Sequence, residues 1–446
     1  MKRFNYLLFR LMSAARFRIN RRFTKAGQFV LACLIASAVI GLDTNLTMAY
    51  QVFTLLLSLF IASFASRLFI RTRVDARRIL PQFGTVGQLL AYRIVVSSGE
   101  RGTLRDLVLE EKLADPRPSF AEFSSALTQS ERPPKSFVEY IGYFRWQDLI
   151  ASKRCAELKE QTVGAVSQNT DCEMRVEFMP SRRGSMQFEG MTISKRDPLG
   201  MVKAGRTIPL RQSLLILPRR YPLPAVSLPG TRAYQQGGVS LAGSIGESEE
   251  FVSLREYRPG DPLRRIHWKS WARSGKPVVK EYQEEFFVRH ALVLDTFKAD
   301  VSAQVFEEAV SVAASFVCTI ETQESLLDLL FVGAEAYCVT VGRGVGRTEQ
   351  ALETLAAVLP CETRPFEDLR VAVMERVSTL SGCICILLAW DDGRKQLIEG
   401  LRGLGIPVLA IVIADPALIH APRPDPVRDL VHVLEAGKIA EGLATL

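Results

Sequence analysis

The sequence predicts a chain in three parts: two transmembrane helices forming a hairpin, an Ig-like β-sandwich, and a doubly wound α/β domain. Three observations lead there. Two apolar stretches near the N-terminus, residues 27–42 and 48–70, carry no charge apart from Arg67. Short β-rich runs broken by turn residues fill the middle of the chain. From Arg289 onward, continuous apolar runs alternate with amphipathic ones. A chain of 446 residues has room for several domains, each with its own core.

The anchor, residues 1–75, comes first. A bilayer core of about 30 Å needs roughly 20 apolar residues in a helix. The second stretch meets that length, and the shorter first one is accommodated by recruiting residues toward Leu46, by standing with little tilt or by slight thinning of the bilayer. Only Asp43, Thr44 and Asn45 separate them, so the two helices must turn back on each other tightly. Lys2, Arg3, Arg10, Arg16, Arg18, Arg21, Arg22 and Lys25 precede the pair, and Arg71, Arg73, Arg77 and Arg78 follow it. The connecting loop has no Lys or Arg. That asymmetry predicts a multi-pass protein of the cell membrane with both termini in the cytoplasm. A cleaved signal peptide fits less well, because a second apolar stretch stands where a cleavage site should be. A pair of buried core helices leaves the one-sided cations unexplained. Much of the net charge of +8 lies in these flanks, which weakens the case for nucleic acid as a partner.

Residues 89–96, 104–110, 172–178, 184–193 and 213–217 are alternating or β-rich. Ser98-Gly99, Arg183-Gly184 and Asp197-Pro198 mark turns between them. This rhythm predicts a β-sandwich over residues 76–230. An aromatic and charged stretch at about 115–160, containing Pro133-Pro134, breaks the rhythm and is expected to be a partly helical insertion. In residues 289–446 the strands are expected at 289–297, 326–333, 336–342, 383–390 and 407–414, with helices at 306–322, 348–359 and 393–405. Apolar strands separated by amphipathic helices predict a mostly parallel sheet covered on both faces. Ligands of such sheets sit at the carboxyl ends of the strands, which puts Asp295, Asp391 and Asp392 on the functional rim.

Between the two domains, residues 231–288 contain the densest charge of the soluble part. From Arg255 to Lys280 there are eight Lys or Arg against Glu256 and Asp261. Pro259-Gly260-Asp261 makes a turn, and Trp268, Trp271 and Tyr282 interleave with the cations. Two roles fit this pattern. One is a fold staple of arginine–carboxylate pairs over packed tryptophans. The other is a contact surface in which Arg258, Arg264, Arg265, Lys269 and Arg273 face a partner, lipid headgroups or a phosphate-bearing ligand.

The run Arg255-Glu256-Tyr257, Pro259-Gly260-Asp261, Arg264-Arg265-Ile266, Trp268-Lys269 and Ala272-Arg273 resembles the signature of the domain of unknown function 58 family. The resemblance takes in the apolar hairpin, Arg183-Gly184 and the Asp-Pro-Leu-Gly element at 197–200, and leaves out the insertion at 115–160. It implies that residues 289–446 fold like a von Willebrand factor type A domain. It also implies work alongside an AAA+ ATPase of the MoxR type in the assembly or maturation of a client protein.

Type A domains hold a divalent ion through an Asp-x-Ser-x-Ser loop, because a hard cation takes oxygen ligands. Here that loop is Asp295-Thr296-Phe297-Lys298-Ala299. Both serines are replaced and Lys298 adds a positive charge. Thr348 and Asp391 or Asp392 are left for the other ligand roles, so the site is expected to be degraded, Mg²⁺ to bind poorly, and no cofactor to be needed. Residues 342–346, Gly-Arg-Gly-Val-Gly, lack the spacing of a phosphate loop, and Gly275-Lys276 is followed by Pro277. Of the histidines, His267 lies in the basic motif, His290 opens a strand, His420 sits in a Pro-rich tail and His432 is expected in a terminal helix. No Ser or Cys has a nucleophile's setting. The eight cysteines show no paired spacing, which fits a reducing compartment, and Cys383 and Cys385 are expected to be buried on one face of a strand. The expected function is binding: a membrane-anchored interaction module facing the cytoplasm. The alternative is a metal-dependent hydrolase using Asp295 and Asp391.

Overall fold

The computed structural model describes residues 2–40, 47–66, 74–99, 102–128, 142–168, 170–224, 251–261, 263–282, 288–297, 302–319, 325–342, 348–415 and 431–446. They form two compact units, residues 1–219 with 353–357, and residues 220–352 with 358–446. The protein is mixed α/β.

The first unit opens with helices α1 (Lys2–Arg22), α2 (Lys25–Ile40) and α3 (Thr47–Ser66). α2 and α3 pack side by side, and Phe23 stacks on Phe60 with ring centroids 5.5 Å apart. Phe29, Val39, Met48 and Leu55 all point outward, opposite to what a soluble core helix would do. Met48–Ser66 is long and apolar enough to cross a membrane, whereas Lys25–Ile40 is shorter. The ends of the two sequence-predicted stretches, residues 41–42 and 67–70, lie outside the described residues, as do Arg71 and Arg73.

Two sheets then share one core. The first is antiparallel, in the order β1 (Val74–Ile79), β3 (Leu90–Ser98), β6 (Cys172–Phe178). The second runs β2 (Phe83–Thr85), β8 (Lys203–Leu217), β7 (Gly184–Arg196), β4 (Leu107–Leu113), β5 (Gln161–Val163). Ile94 and Val96, spaced by two, meet Leu107, Leu109, Phe188, Ile193, Leu214 and Ile216 between the sheets. β1 goes unannounced because its sequence, Val-Asp-Ala-Arg-Arg-Ile, reads as polar. Arg78 turns inward. Its guanidinium forks onto Glu111 at 2.9 and 2.5 Å, reaches Leu210 O and Gln212 Oε1 at 3.1 Å, and lies 4.4 Å from the centroid of the Phe188 ring. Arg78 is therefore an interior residue of the β domain and does not belong to the cationic flank of the apolar helices.

The insertion contains α4 (Phe120–Thr128) and α5 (Tyr143–Lys153). α4 starts with a capping box: Ser119 N donates to Glu122 Oε2 at 2.6 Å, and Glu122 N to Ser119 Oγ at 3.3 Å. Both helices contribute to an aromatic cluster with α1, in which Tyr6, Phe9, Phe123 and Trp146 are buried.

The second unit starts with an antiparallel pair, β9 (Phe251–Glu256) and β10 (Val278–Tyr282), with α6 (Trp268–Ser274) between them in sequence. Its main sheet has the order β13-β12-β11-β14-β15-β16. These strands are β11 (Val288–Leu294), β12 (Ser325–Val332), β13 (Ala336–Val341), β14 (Gly382–Leu387), β15 (Val408–Ala414) and β16 (Val431–Glu435). All pair in parallel except the edge strand β13. The helices are α7 (Ala303–Thr319), α8 (Thr348–Ala357), α9 (Glu367–Met374), α10 (Asp392–Gly403) and α11 (Ile439–Leu443). Ala291, Val293, Cys383, Cys385 and Val412 pack under Leu369, Val373, Leu397 and Leu401 of α9 and α10. The alternate residues Leu292, Leu294, Ile384 and Ile386 point the other way and are also fully buried. α7, buried along most of its length, packs on β11, β14 and β15. His432 lies on β16, not in a terminal helix: Val431 and Val433 favour a strand, and pairing with β15 settles it.

Candidate functional site

At the carboxyl edge of the main sheet, Asp295 follows β11 and is completely buried. Its Oδ1 accepts from Phe297 N at 3.0 Å. Its Oδ2 accepts from Leu388 N at 3.0 Å and from Arg394 Nε at 2.6 Å. Arg394, from the first turn of α10, is only 2 % exposed. Its Nη1 donates to Asp391, which also caps α10 by accepting from Arg394 N at 3.0 Å. The guanidinium lies 4.8 Å from the centroid of Phe366, while Nη2 is buried without a hydrogen-bond partner. Burial pushes the Asp295 carboxyl above its ordinary range, with Arg394 and the two amides pulling against it.

This arrangement does not fit a divalent ion. The carboxylate that would hold the metal is saturated by a guanidinium and two amides, and Arg394 stands between Asp295 and Asp391. Phe297, at the first serine position of the type A loop, packs edge-on against Phe366. Thr348 opens α8. Lys298, Ala299 and residues 343–346 lie outside the described residues. The sequence reading found both aspartates and missed Arg394, whose signal was available: an Arg three residues after an N-cap Asp is placed to reach back to it.

The signature segment divides into a staple and a surface. Asp261 takes a two-pronged bond from Arg255, both distances 2.7 Å, and accepts from Arg258 N at 2.8 Å. Gly260, at φ +109°, supplies the left-handed turn that brings the carboxylate back. Arg255 holds the Asp261 carboxyl down at about 2. Tyr257 N and His267 N donate to Pro277 O and Val278 O, and Ile266 and Val279 are buried together. On the outside, Arg258, Pro259, Arg264, Lys269 and Arg273 are exposed. Trp268 stacks on Trp271 at 5.3 Å yet remains 65 % exposed. Glu256 pairs with Lys276 at the surface. Arg265 belongs to a short 3-10 turn, and its side chain is outside the described set.

Residues 253–419 match the family described as "Protein of unknown function DUF58". The match starts in β9 and runs past β15, so it covers the staple, the exposed cations and the Asp295–Arg394 edge. The "Uncharacterized protein YeaD" of Bacillus subtilis (strain 168) is 27 % identical over 187 residues, 41 % of this chain and 45 % of that protein. The chain thus spans a little under half the length of that relative.

In the first unit, outside the matched residues, the Asp-Pro-Leu-Gly element at 197–200 is the turn between β7 and β8. Asp197 Oδ1 accepts from Val202 N at 2.7 Å, and its Oδ2 accepts from Ser63 Oγ of α3 at 2.5 Å. Thr24, just before α2, donates to Gly200 O at 2.5 Å and from its amide to Met201 O at 3.0 Å. Gly27 of α2 sits so close to Met201 that a Cβ there would come 2.1 Å from its carbonyl oxygen. One turn therefore holds the base of both apolar helices. Cys383 and Cys385 lie on one face of β14, both buried, with sulfurs 3.5 Å apart.

Proposed function

We propose that this chain is a membrane-anchored protein-interaction module whose second unit docks onto an AAA+ ATPase of the MoxR type and a client protein. The supporting observation is the contrast within the DUF58-matching region: the acidic rim is closed by Arg394, while a cationic and aromatic surface at Arg258, Trp268, Lys269 and Arg273 faces solvent. A metal-dependent hydrolase would need an open carboxylate at that rim. The strand order of the main sheet, with one antiparallel edge strand, supports a von Willebrand type A-like fold. The shared core of the two smaller sheets supports an Ig-like β domain. The side-by-side packing of α2 and α3 and their outward apolar side chains support a two-helix hairpin in lipid, and the cations on either side of the pair favour the cytoplasm for both ends.

The test is affinity purification of the full chain from its native membrane in mild detergent. An AAA+ ATPase should co-purify and should be lost on the combined charge reversal Arg258→Glu, Lys269→Glu, Arg273→Glu, with unfolding temperature unchanged. Recovery of no ATPase, or undiminished recovery with the triple variant, would sink the reading. The topology is tested separately, by whether a tag after Leu446 is shielded in intact cells.

A further inference from the structure

α1 has two apolar faces. Tyr6 and Phe9 are buried in the aromatic cluster with α4 and α5. At about 100° per residue, Phe4, Leu7, Leu8, Leu11 and Met12 fall on the opposite side, and they are 69, 60, 41, 70 and 53 % exposed. So much contiguous apolar surface on an exposed helix marks a binding face. Arg3 and Arg10 stand beside it, and Arg18 and Arg22 follow on the same side nearer the C-terminus of α1; all four are exposed, and the chain has no Asp or Glu before Asp43.

The helix is also held in place. Its first turns are fixed by the aromatic cluster, and near its C-terminus Arg21 bonds Thr207 Oγ1 at 2.5 Å on β8. Phe23, just beyond it, bridges to Val202 in the same turn that holds Thr24, Gly27 and Ser63. α1 is therefore rooted where the apolar helices α2 and α3 leave the β domain.

We propose that α1 lies in the plane of the membrane, its Phe4–Leu7–Leu8–Leu11–Met12 face sunk among the acyl chains and its arginines on anionic lipid headgroups. The charge pattern and the shared root with α3 single out a lipid surface: a helix with an apolar face, cationic flanks and no acid binds anionic bilayers edge-on. Such a helix fixes how the β domain is presented to the bilayer, which a hairpin joined by a loose segment would not.

The test uses the full chain in nanodiscs of phosphatidylglycerol and phosphatidylcholine in equal parts, one copy per disc. Leu11→Cys, Leu7→Cys and, on a polar face, Arg16→Cys are labelled with a membrane-impermeant maleimide. Each site is read from its own peptide by mass spectrometry, so native cysteines do not interfere. Leu11→Cys and Leu7→Cys should react roughly tenfold slower than Arg16→Cys, as expected for side chains withdrawn into the acyl boundary. The gap should narrow in pure phosphatidylcholine at high salt. Equal rates at all three positions would overturn the proposal. Protection seen only in discs carrying two copies would assign the face to a second chain, and a gap indifferent to lipid charge would overturn the headgroup assignment.

Discussion

The Asp295–Arg394–Asp391 cluster and the Arg255–Asp261 turn both rest on an arginine–carboxylate contact, yet they differ in what surrounds it. At the sheet edge the pair is buried, its oxygens are satisfied, and the aromatic rings of Phe297 and Phe366 close over it. In the signature turn the pair is partly exposed and ties a loop that carries Arg258 on its outside, and Trp268, Lys269 and Arg273 are exposed on α6, which follows it. Removing one member of a buried pair strands a charge in low dielectric, whereas at the surface water replaces the partner. The first arrangement therefore serves the fold, and the second leaves cations available for a partner.

The largest effect that would sharpen this contrast is at Arg394. Arg394→Ala should cost about 3–5 kcal/mol in urea denaturation, because Asp295 is left buried and unpaired. Arg394→Met combined with Asp295→Asn should recover a good part of that loss. A change below about 1 kcal/mol for the single variant would place the pair among ordinary surface contacts and erase the difference. Next is metal: calorimetric titration of the intact chain with Mg²⁺ should show no binding at micromolar levels. Binding abolished by Asp295→Ala would break the comparison outright and revive the hydrolase.

Smaller effects belong to the turn. Asp261 has a folded value of about 2, below the unfolded value of about 3.9. Its contribution is thus fully present above about pH 4 and fades as pH falls toward the folded value. An NMR titration should find this carboxyl still ionised at pH 3, where exposed aspartates are largely protonated, and Asp261→Asn should loosen the turn amides. Smallest in stability is Trp268→Ala, expected within about 0.5 kcal/mol of the parent, while it weakens ATPase recovery. A large loss of stability there would make Trp268 part of the staple.

How much could be read in advance varied with the period of the pattern. β14 and β15 are continuous apolar runs and α10 is strongly amphipathic; β15 and α10 sit within two residues of their predicted places, and β14 starts one residue early and ends three short. β1 and β16 were hidden, because short strands with charged or polar residues on one side look like loops until a neighbour pairs with them. In the sequence, α1 stands out only by its positive charge. Its helical spacing becomes meaningful once α4 and α5 supply something for Tyr6 and Phe9 to pack on.

From sequence alone came the apolar helices, the β-rich middle, the α/β end, the signature turn and the choice of Asp295 and Asp391, since each rests on local periodicity or on residue type at short spacing. Tertiary structure alone decided which polar side chains meet across long stretches of chain. Arg78 was drawn into the β core onto Glu111, Arg394 was set against Asp295 from 99 residues away, and Ser63 was brought to Asp197 across 134. A polar side chain carries no mark of a distant partner in the linear chain; burial selects one by making every unpaired arrangement too costly.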